Sequence, residues 1–400
     1  MFKGSLCFGL PLTVAIGLGA SVGAAGAFDR AHETAVPQVN ASIEVAAPFA
    51  TAEPASLQIS LRNEKKLTLQ LLSVTTGQNG TTWNGIVEDT GESAMLMRWN
   101  DGRLGGVLGY KGEVYAITSE DGQLRAAVER QPKSVRDHAV TSPQHTADAT
   151  RRHARGGNAS AATIQNMTTF SDAERLALEA KQITIDLMVV YTRSAASHYV
   201  MPMEDLIARA VEETNQSFRN SGLANIRLRL VHSQLIKYDE TTGEYFEHLY
   251  RMVDGVGTFK EIHRQRDEKR ADIVGMIVDD PSGCGLSTRV APDPEEAYFV
   301  VHHSCAAITL SLAHEIGHIL GARHDRDSDE TGTPFPYGHG HVNGTKWRDI
   351  MSYQESCDGC RRIPYWSNPR ITYRGEPTGT DQDDNARVIL QQAERVASFR

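Results

Sequence analysis

Three imidazoles and one carboxylate stand in the stretch His314-Glu315-Ile316-Gly317-His318-Ile319-Leu320-Gly321-Ala322-Arg323-His324-Asp325, at spacings that suit a catalytic zinc ion. On an α-helix, residues four apart lie roughly 40° from each other around the axis, so His314 and His318 face the same way and can bind one metal. Glu315 is too far round to join them as a ligand, but it can reach a metal-bound water and act as its general base. Gly321 takes positive φ cheaply, which ends the helix and lets the chain turn to present His324 as a third ligand. Three protein ligands leave a fourth position for water, as hydrolysis requires. HExxH alone also occurs in ordinary amphipathic helices with incidental histidines. Gly321, His324 and Asp325 at fixed offsets, with Met351 downstream, set this one apart.

The pattern HExxHxxGxxH from His314 to His324, followed by Asp349-Ile350-Met351-Ser352-Tyr353, resembles the metzincin zinc endopeptidases and their Met-turn. The resemblance implies that Met351 lies beneath the metal as an apolar floor without binding it; taken by itself, Met351 is a core methionine. Asp325, directly after the third histidine, resembles the reprolysin (adamalysin) branch, where this carboxylate anchors the Met-turn region through buried hydrogen bonds. A solvated loop aspartate is the plain alternative. Tyr353 departs from that branch and is similar to astacins and serralysins, where such a tyrosine reaches the metal or the oxyanion; a packing tyrosine is equally open. The tail, Tyr365-Trp366-Ser367-Asn368-Pro369 through Gly375-Glu376-Pro377-Thr378-Gly379 to Asp384-Asn385-Ala386-Arg387, resembles bacterial secreted reprolysin-like peptidases, the peptidyl-Asp metallopeptidases among them.

The chemistry so implied is attack by a metal-activated water, its pKa lowered toward ~7, with Glu315 taking the proton and passing it to the leaving amine. Tyr353 is a candidate to steady the oxyanion. In this fold the pocket beyond the scissile bond is walled by residues 355–365, which include Arg361 and Arg362. A guanidinium there can pair bidentately with an acidic side chain, in line with the peptidyl-Asp resemblance, or simply be solvated. His302 and His303, just before the zinc helix, read as surface or cleft residues and not ligands. His339 and His341, two apart in a glycine-rich loop, read as a surface loop. Asp325, Asp327, Asp329 and Glu330 offer oxygens for a Ca2+ ion but lack EF-hand spacing.

At 400 residues there is room for two domains, and 40% hydrophobic residues suffice for ordinary cores. Lys3, the apolar run from Leu10 to Val22 and the small-x-small Ala25-Gly26-Ala27 read as a secretory signal, residues 1–27, cut after Ala27. An uncleaved anchor is the rival, but Pro11 and several glycines break the run and no basic stop follows it. Cys7 leaves with the signal. Cys284, Cys305, Cys357 and Cys360 remain, an even number that suggests disulfides in an exported chain. Three pairings are possible; Cys284 with Cys305 and Cys357 with Cys360 are favoured because each is local. A redox or second zinc role for the Cys-x-x-Cys lacks both a second such pair and a thioredoxin-like setting. A net charge of −9 argues against a nucleic-acid partner.

Residues 151–180, rich in small and polar residues around Arg151-Arg152-His153-Ala154-Arg155, read as an exposed linker carrying a processing site, or else a flexible loop. Upstream, expected strands at 57–61, 67–74, 82–87, 94–99, 105–110 and 113–118 make residues 28–150 a small antiparallel meander. It reads as a pro-region that covers the cleft and inhibits the enzyme intramolecularly; a retained accessory domain is the alternative. No cysteine lies between residues 28 and 283, so latency by a thiolate on zinc is excluded, leaving a carboxylate, a histidine or steric cover.

Residues 181–400 alternate strands (183–191, 226–230, 273–278, 298–302) with helices (203–218, 258–266, 385–399). The fold class expected is α+β: a metzincin-like catalytic domain, with a mixed twisted sheet, an active-site helix and a C-terminal helical subdomain, preceded by a small all-β pro-region. By the resemblance, strand 298–302 is the edge that pairs with an extended substrate backbone. The chain reads as a secreted, monomeric zinc endopeptidase made as a zymogen and acting on protein or peptide, free of the membrane once the signal is gone. Two other classes compete. One is a zinc hydrolase of non-peptide amides, which a peptide assay separates; the other is a secreted binding protein with a vestigial site, which the intact Glu315 and three histidines argue against.

Overall fold

The computed structural model describes residues 38–39, 42–44, 57–60, 66–77, 80–111, 113–120, 123–129, 170–199, 202–241 and 243–400, all of them in the second of two units of the chain, Gln38–Arg400. The expected signal, its cut after Ala27 and most of the expected linker lie outside these residues.

Nine strands come first: β1 (Gln38–Val39), β2 (Ser42–Glu44), β3 (Leu57–Ser60), β4 (Lys66–Gly77), β5 (Gly80–Val87), β6 (Ser93–Trp99), β7 (Leu104–Tyr110), β8 (Glu113–Glu120) and β9 (Gln123–Glu129). They form one sheet in the order β1-β9-β8-β7-β6-β5-β4-β3-β2, every pairing antiparallel. Val39 and Ser42 are three residues apart in the chain yet stand at opposite ends of that order. Laid flat, nine strands at ~4.8 Å spacing would span roughly 38 Å, whereas three residues reach at most about 11 Å. The sheet therefore curls until its ends meet. Ile59, Leu67, Leu69, Trp83, Leu108 and Ile117 fill its inside. β6 is buried on both faces: Ala94 and Leu96 join this core, while Met95 and Met97, with Trp99 and Val107, pack on Ala208.

The rest is an α/β layer structure. Its sheet has the order β11-β10-β12-β14-β13, with β10 (Ile183–Tyr191), β11 (Ile226–Leu235), β12 (Ile273–Val278), β13 (Gly285–Ser287) and β14 (Tyr298–His302). All pairings are parallel except β13 on β14. The helices are α1 (Asp172–Glu179), α2 (Arg193–His198), α3 (Met203–Asn220), α4 (Tyr245–Val253), α5 (Phe259–Lys269), α6 (Ser311–Ile319) and α7 (Asn385–Val396). Alternate side chains of β10 feed two cores, as the pleat requires. Ile185, Leu187 and Val189 meet apolar residues of α3, α6 and α7; Met188 and Val190 meet those of α4 and α5. No helix among the described residues is long and apolar enough to cross a membrane.

Strands 183–191, 273–278 and 298–302 fall where expected, and the two local disulfides form, Cys284–Cys305 and Cys357–Cys360. Three expectations change. Strand 298–302 is not the sheet edge: it lies between β12 and β13, buried along its whole length. The edge beside the HExxH helix is β13, whose three residues were too few to show a period. The expected linker also runs past the start of α1, which Ser171 and Glu174 close with a capping box. Finally, α4 was not foreseen at all. Phe299 is buried among the side chains of the first core, so Phe299→Ala should cost about 3–5 kcal/mol, read as a lower denaturant midpoint.

Candidate active site

α6 carries His314, Glu315 and His318, and every one of its nine residues is buried. Gly321, at φ +93°, turns the chain just after it, and β15 (Arg323–Asp325) brings back His324. His314 Nδ1 donates to Ile350 O at 2.9 Å and His318 Nδ1 to Ala322 O at 3.0 Å. A carbonyl can only accept, so both protons sit on Nδ1 and both Nε2 atoms carry bare lone pairs. Those atoms lie 3.2 Å and 2.9 Å from His324 Nε2. Around a tetrahedral zinc with bonds of 2.0–2.1 Å, ligand nitrogens would be about 3.3 Å apart. Two acceptors converging on a third imidazole nitrogen at nearly that spacing suit a cation.

Glu315 is fully buried beside this group. Burial pushes its carboxyl up to about 8, with Ser287 and Arg362 pulling partly the other way. Neither oxygen has a partner in full hydrogen-bond geometry. Edge strand β13 makes room for it, since a Cβ on Gly285 would lie 2.4 Å from Oε1. Tyr353 Oη is 2.8 Å from His324 Nε2, at the centre and not in packing alone. Met351 is buried under α6, where a Cβ on Gly317 would come within 2.7 Å of its Sδ.

Two buried aspartates hold these parts in register. Asp325 accepts from Tyr353 N at 3.0 Å and Ser356 Oγ at 2.6 Å. Asp349 accepts from Met351 N, Ser352 N and Ser352 Oγ on one oxygen and from Ser367 N at 3.0 Å on the other. Burial raises the Asp349 carboxyl to about 6, against those donors, so it is ionised at neutral pH.

Several residues stand elsewhere than the sequence suggested. His339 is fully buried, and its Nδ1 donates to His324 O at 2.9 Å, holding the His324 backbone; it is no surface loop, because β16 (His339–Gly340) pairs with β15. His341 meets Asp383. His302 and His303 are buried too, at the ends of the parallel strands. With Asp279 they form a second group whose polar atoms lie within 4.8 Å of one another. His303 Nε2 donates to Asp279 Oδ1 at 2.7 Å. His302 Nδ1 accepts the Ser304 amide at 3.1 Å, so its proton is on Nε2, and burial with His303 nearby lowers its pKa to about 4. Hydrogen bonds thus tie His303 to Asp279 and His302 to Ser304. The Ca2+ expectation fails among the described residues: Asp325 and Asp329 spend their oxygens on Tyr353, Ser356, Arg323 and Thr331, and no metal-binding cluster gathers at 325–330.

Arg361 and Arg362 form β19, beside β18 (Trp347–Arg348), which also pairs with β17 (Val342–Asn343), and as neighbours on a strand they point to opposite faces. Arg362 turns inward, donating to Thr309 O at 2.6 Å and Ser352 O at 3.1 Å. Arg361 turns outward and meets Glu92 of the nine-stranded sheet at 3.2 Å.

Residues 181–367, which contain the HExxH helix and the Met-turn, match the family described as metallo-peptidase family M12. This part of the chain is similar to that metallopeptidase family. A peptidyl-Asp metalloendopeptidase of Xanthomonas campestris is 39% identical over 220 residues, covering 54% of this chain and 52% of that protein. One from Stenotrophomonas maltophilia is 37% identical over 223 residues, 54% of this chain and 53% of that one. The chain thus spans about half the length of the curated relatives it matches. Metalloproteinase-II from Bacteroides fragilis aligns with a TM-score of 0.46 at 12% identity, over 85% of this chain and 92% of that one, a likeness too slight to carry an argument.

Asp349→Asn would set an amide NH2 against the Ser367 N–H inside the protein. It should cost about 1–3 kcal/mol, seen as a lower urea midpoint at unchanged slope.

Proposed function

We propose that this chain is an exported zinc endopeptidase, made as a precursor, that cleaves peptide bonds and favours acidic side chains next to the cut. The observation that carries the reading is the pair of proton-free Nε2 atoms on His314 and His318, facing His324 beside the buried Glu315. His314, His318 and His324 would hold the metal, and a zinc bound there would supply a Lewis acid for the scissile carbonyl and lower the pKa of water. Glu315 takes the proton of the attacking water and hands it to the leaving amine. Tyr353 Oη donates to the oxyanion as it forms. Gly285–Ser287, the sheet edge beside Glu315, offers backbone groups to an extended peptide.

Acid preference rests on Arg362, which faces the Glu315 side of β19 and helps hold down that carboxyl's pKa. The relatives' description as peptidyl-Asp endopeptidases supports it. The precursor reading takes residues 1–27 as signal, 28–150 as pro-region, 151–180 as linker and processing site and 181–400 as enzyme. It is supported by contacts that seat the nine-stranded sheet on the enzyme half: Arg103 on Asp205 and Glu92 on Arg361.

Glu315→Gln should keep the metal yet lower peptide turnover by about 10²–10⁴-fold, while His318→Ala loses metal and activity together. Full activity in the first, with metal measured by elemental analysis, would sink the general-base role. Cleavage-site profiling on a peptide mixture should show Asp or Glu after the cut, and Arg362→Gln should erase that preference while cleavage elsewhere continues.

A further inference from the structure

A cavity of about 240 Å³ opens on the face of β19 away from Glu315, lined by Lys346, Trp347, Arg361, Tyr373, Arg374 and Glu376. That is several times the ~30 Å³ a water takes up in the liquid, enough for a side chain. Its wall is aromatic: Trp347 meets Tyr373 edge-on with ring centres 5.9 Å apart, and the Arg374 guanidinium lies 5.4 Å over Tyr373. Its charge is positive. Among its lining residues Lys346, Arg361 and Arg374 are set against Glu376 alone. Lys346 is already paired with Glu376.

One carboxylate from beside the far sheet pairs with a guanidinium that lines this cavity. The turn before β6 brings Glu92 to Arg361, and a Cβ on the preceding Gly91 would lie 4.0 Å from the Arg374 guanidinium. Gly109, on neighbouring β7, leaves room for Glu92, since a Cβ there would be 3.1 Å from Glu92 Cβ. Glu92 is 7% exposed, while Arg361 remains 42% exposed. A buried carboxylate set on a half-open guanidinium is stable only while the sheet stays docked.

We propose that this cavity is a binding site for acidic peptide segments, separate from the His314–His318–His324 centre, and that Glu92 is the chain's own occupant of it. Two guanidiniums lining an aromatic-walled cavity recognise a carboxylate by charge-assisted hydrogen bonds, and a planar fork does this better than an ammonium. Displacing Glu92 frees Arg361 for an acidic residue of an incoming chain. The inference rests on the peptidase reading only for the use made of the bound segment.

The test is fluorescence anisotropy with a fluorescein-labelled hexa-aspartate peptide, against a hexa-serine control, on the full chain carrying Glu315→Gln. Binding is then read without turnover, so an inactive wild type would leave the result standing, and failed binding would leave the peptidase reading standing. Adding Glu92→Gln should tighten hexa-aspartate binding by about tenfold, as expected when an intrachain competitor is removed. Adding Arg361→Gln should abolish the gain. Unchanged affinity in the Glu92 variant, or a gain that survives loss of Arg361, overturns the proposal. Arg374→Gln, which leaves the Glu92–Arg361 pair in place, provides a reading that does not depend on the Glu92 variant folding: binding should weaken severalfold, and equal binding overturns the site.

Discussion

Ile350 O and Ala322 O each take a hydrogen bond from an imidazole Nδ1, and because a carbonyl has no proton to give, both rings are locked with lone pairs toward His324. Most of the surrounding structure serves those two acceptors. Ala322 is in place because Gly321 turns the chain at the end of α6. Ile350 is in place because its neighbour Asp349 gathers four donors from the Met-turn and from Ser367. The third imidazole is fixed less through its ring than through its backbone, where His339 donates to His324 O and Asp325 ties the next residue to Tyr353 and Ser356.

Asp349 and Glu315 are both fully buried carboxyls, and the contrast between them separates scaffold from chemistry. Burying a carboxylate costs several kcal/mol unless hydrogen bonds offset it. Asp349 has those bonds, so its pKa is raised only to about 6 and it stays charged at neutral pH. Glu315 has only Ser287 and Arg362 set against its burial and is pushed to about 8. A purely structural residue in that position would be better apolar, which is why the proposed reading gives Glu315 the proton transfer.

The HExxH helix, the turn at Gly321, strands 183–191, 273–278 and 298–302 and both disulfide pairings were legible because each rests on local spacing. What stayed hidden depended on partners distant in sequence. Gly285-Leu286-Ser287 is a strand only because β14 pairs with it, so the sheet edge was assigned to β14 instead. His339 looks like a loop histidine until β15 lies beside it. Arg361 and Arg362 are indistinguishable as letters, and the pleat alone sends one toward Glu315 and the other toward Glu92. The curl of the nine-stranded sheet follows from its strand order, which no single segment encodes.

The contacts between that sheet and the enzyme half bear on whether the association is permanent. Arg103 on Asp205 and Arg361 on Glu92 each set a partly exposed guanidinium against a buried carboxylate, and such pairs weaken as salt rises. The apolar seam gathers Met95, Met97, Trp99 and Val107 against Ala208, a small patch beside the continuous core that binds α3, α6 and α7 to their own sheet. Permanent interfaces resemble a core cut in half, whereas separable ones are smaller and more polar. By that measure the seam between the sheet and the enzyme half, a small apolar patch flanked by two ion pairs, is of the smaller and more polar kind.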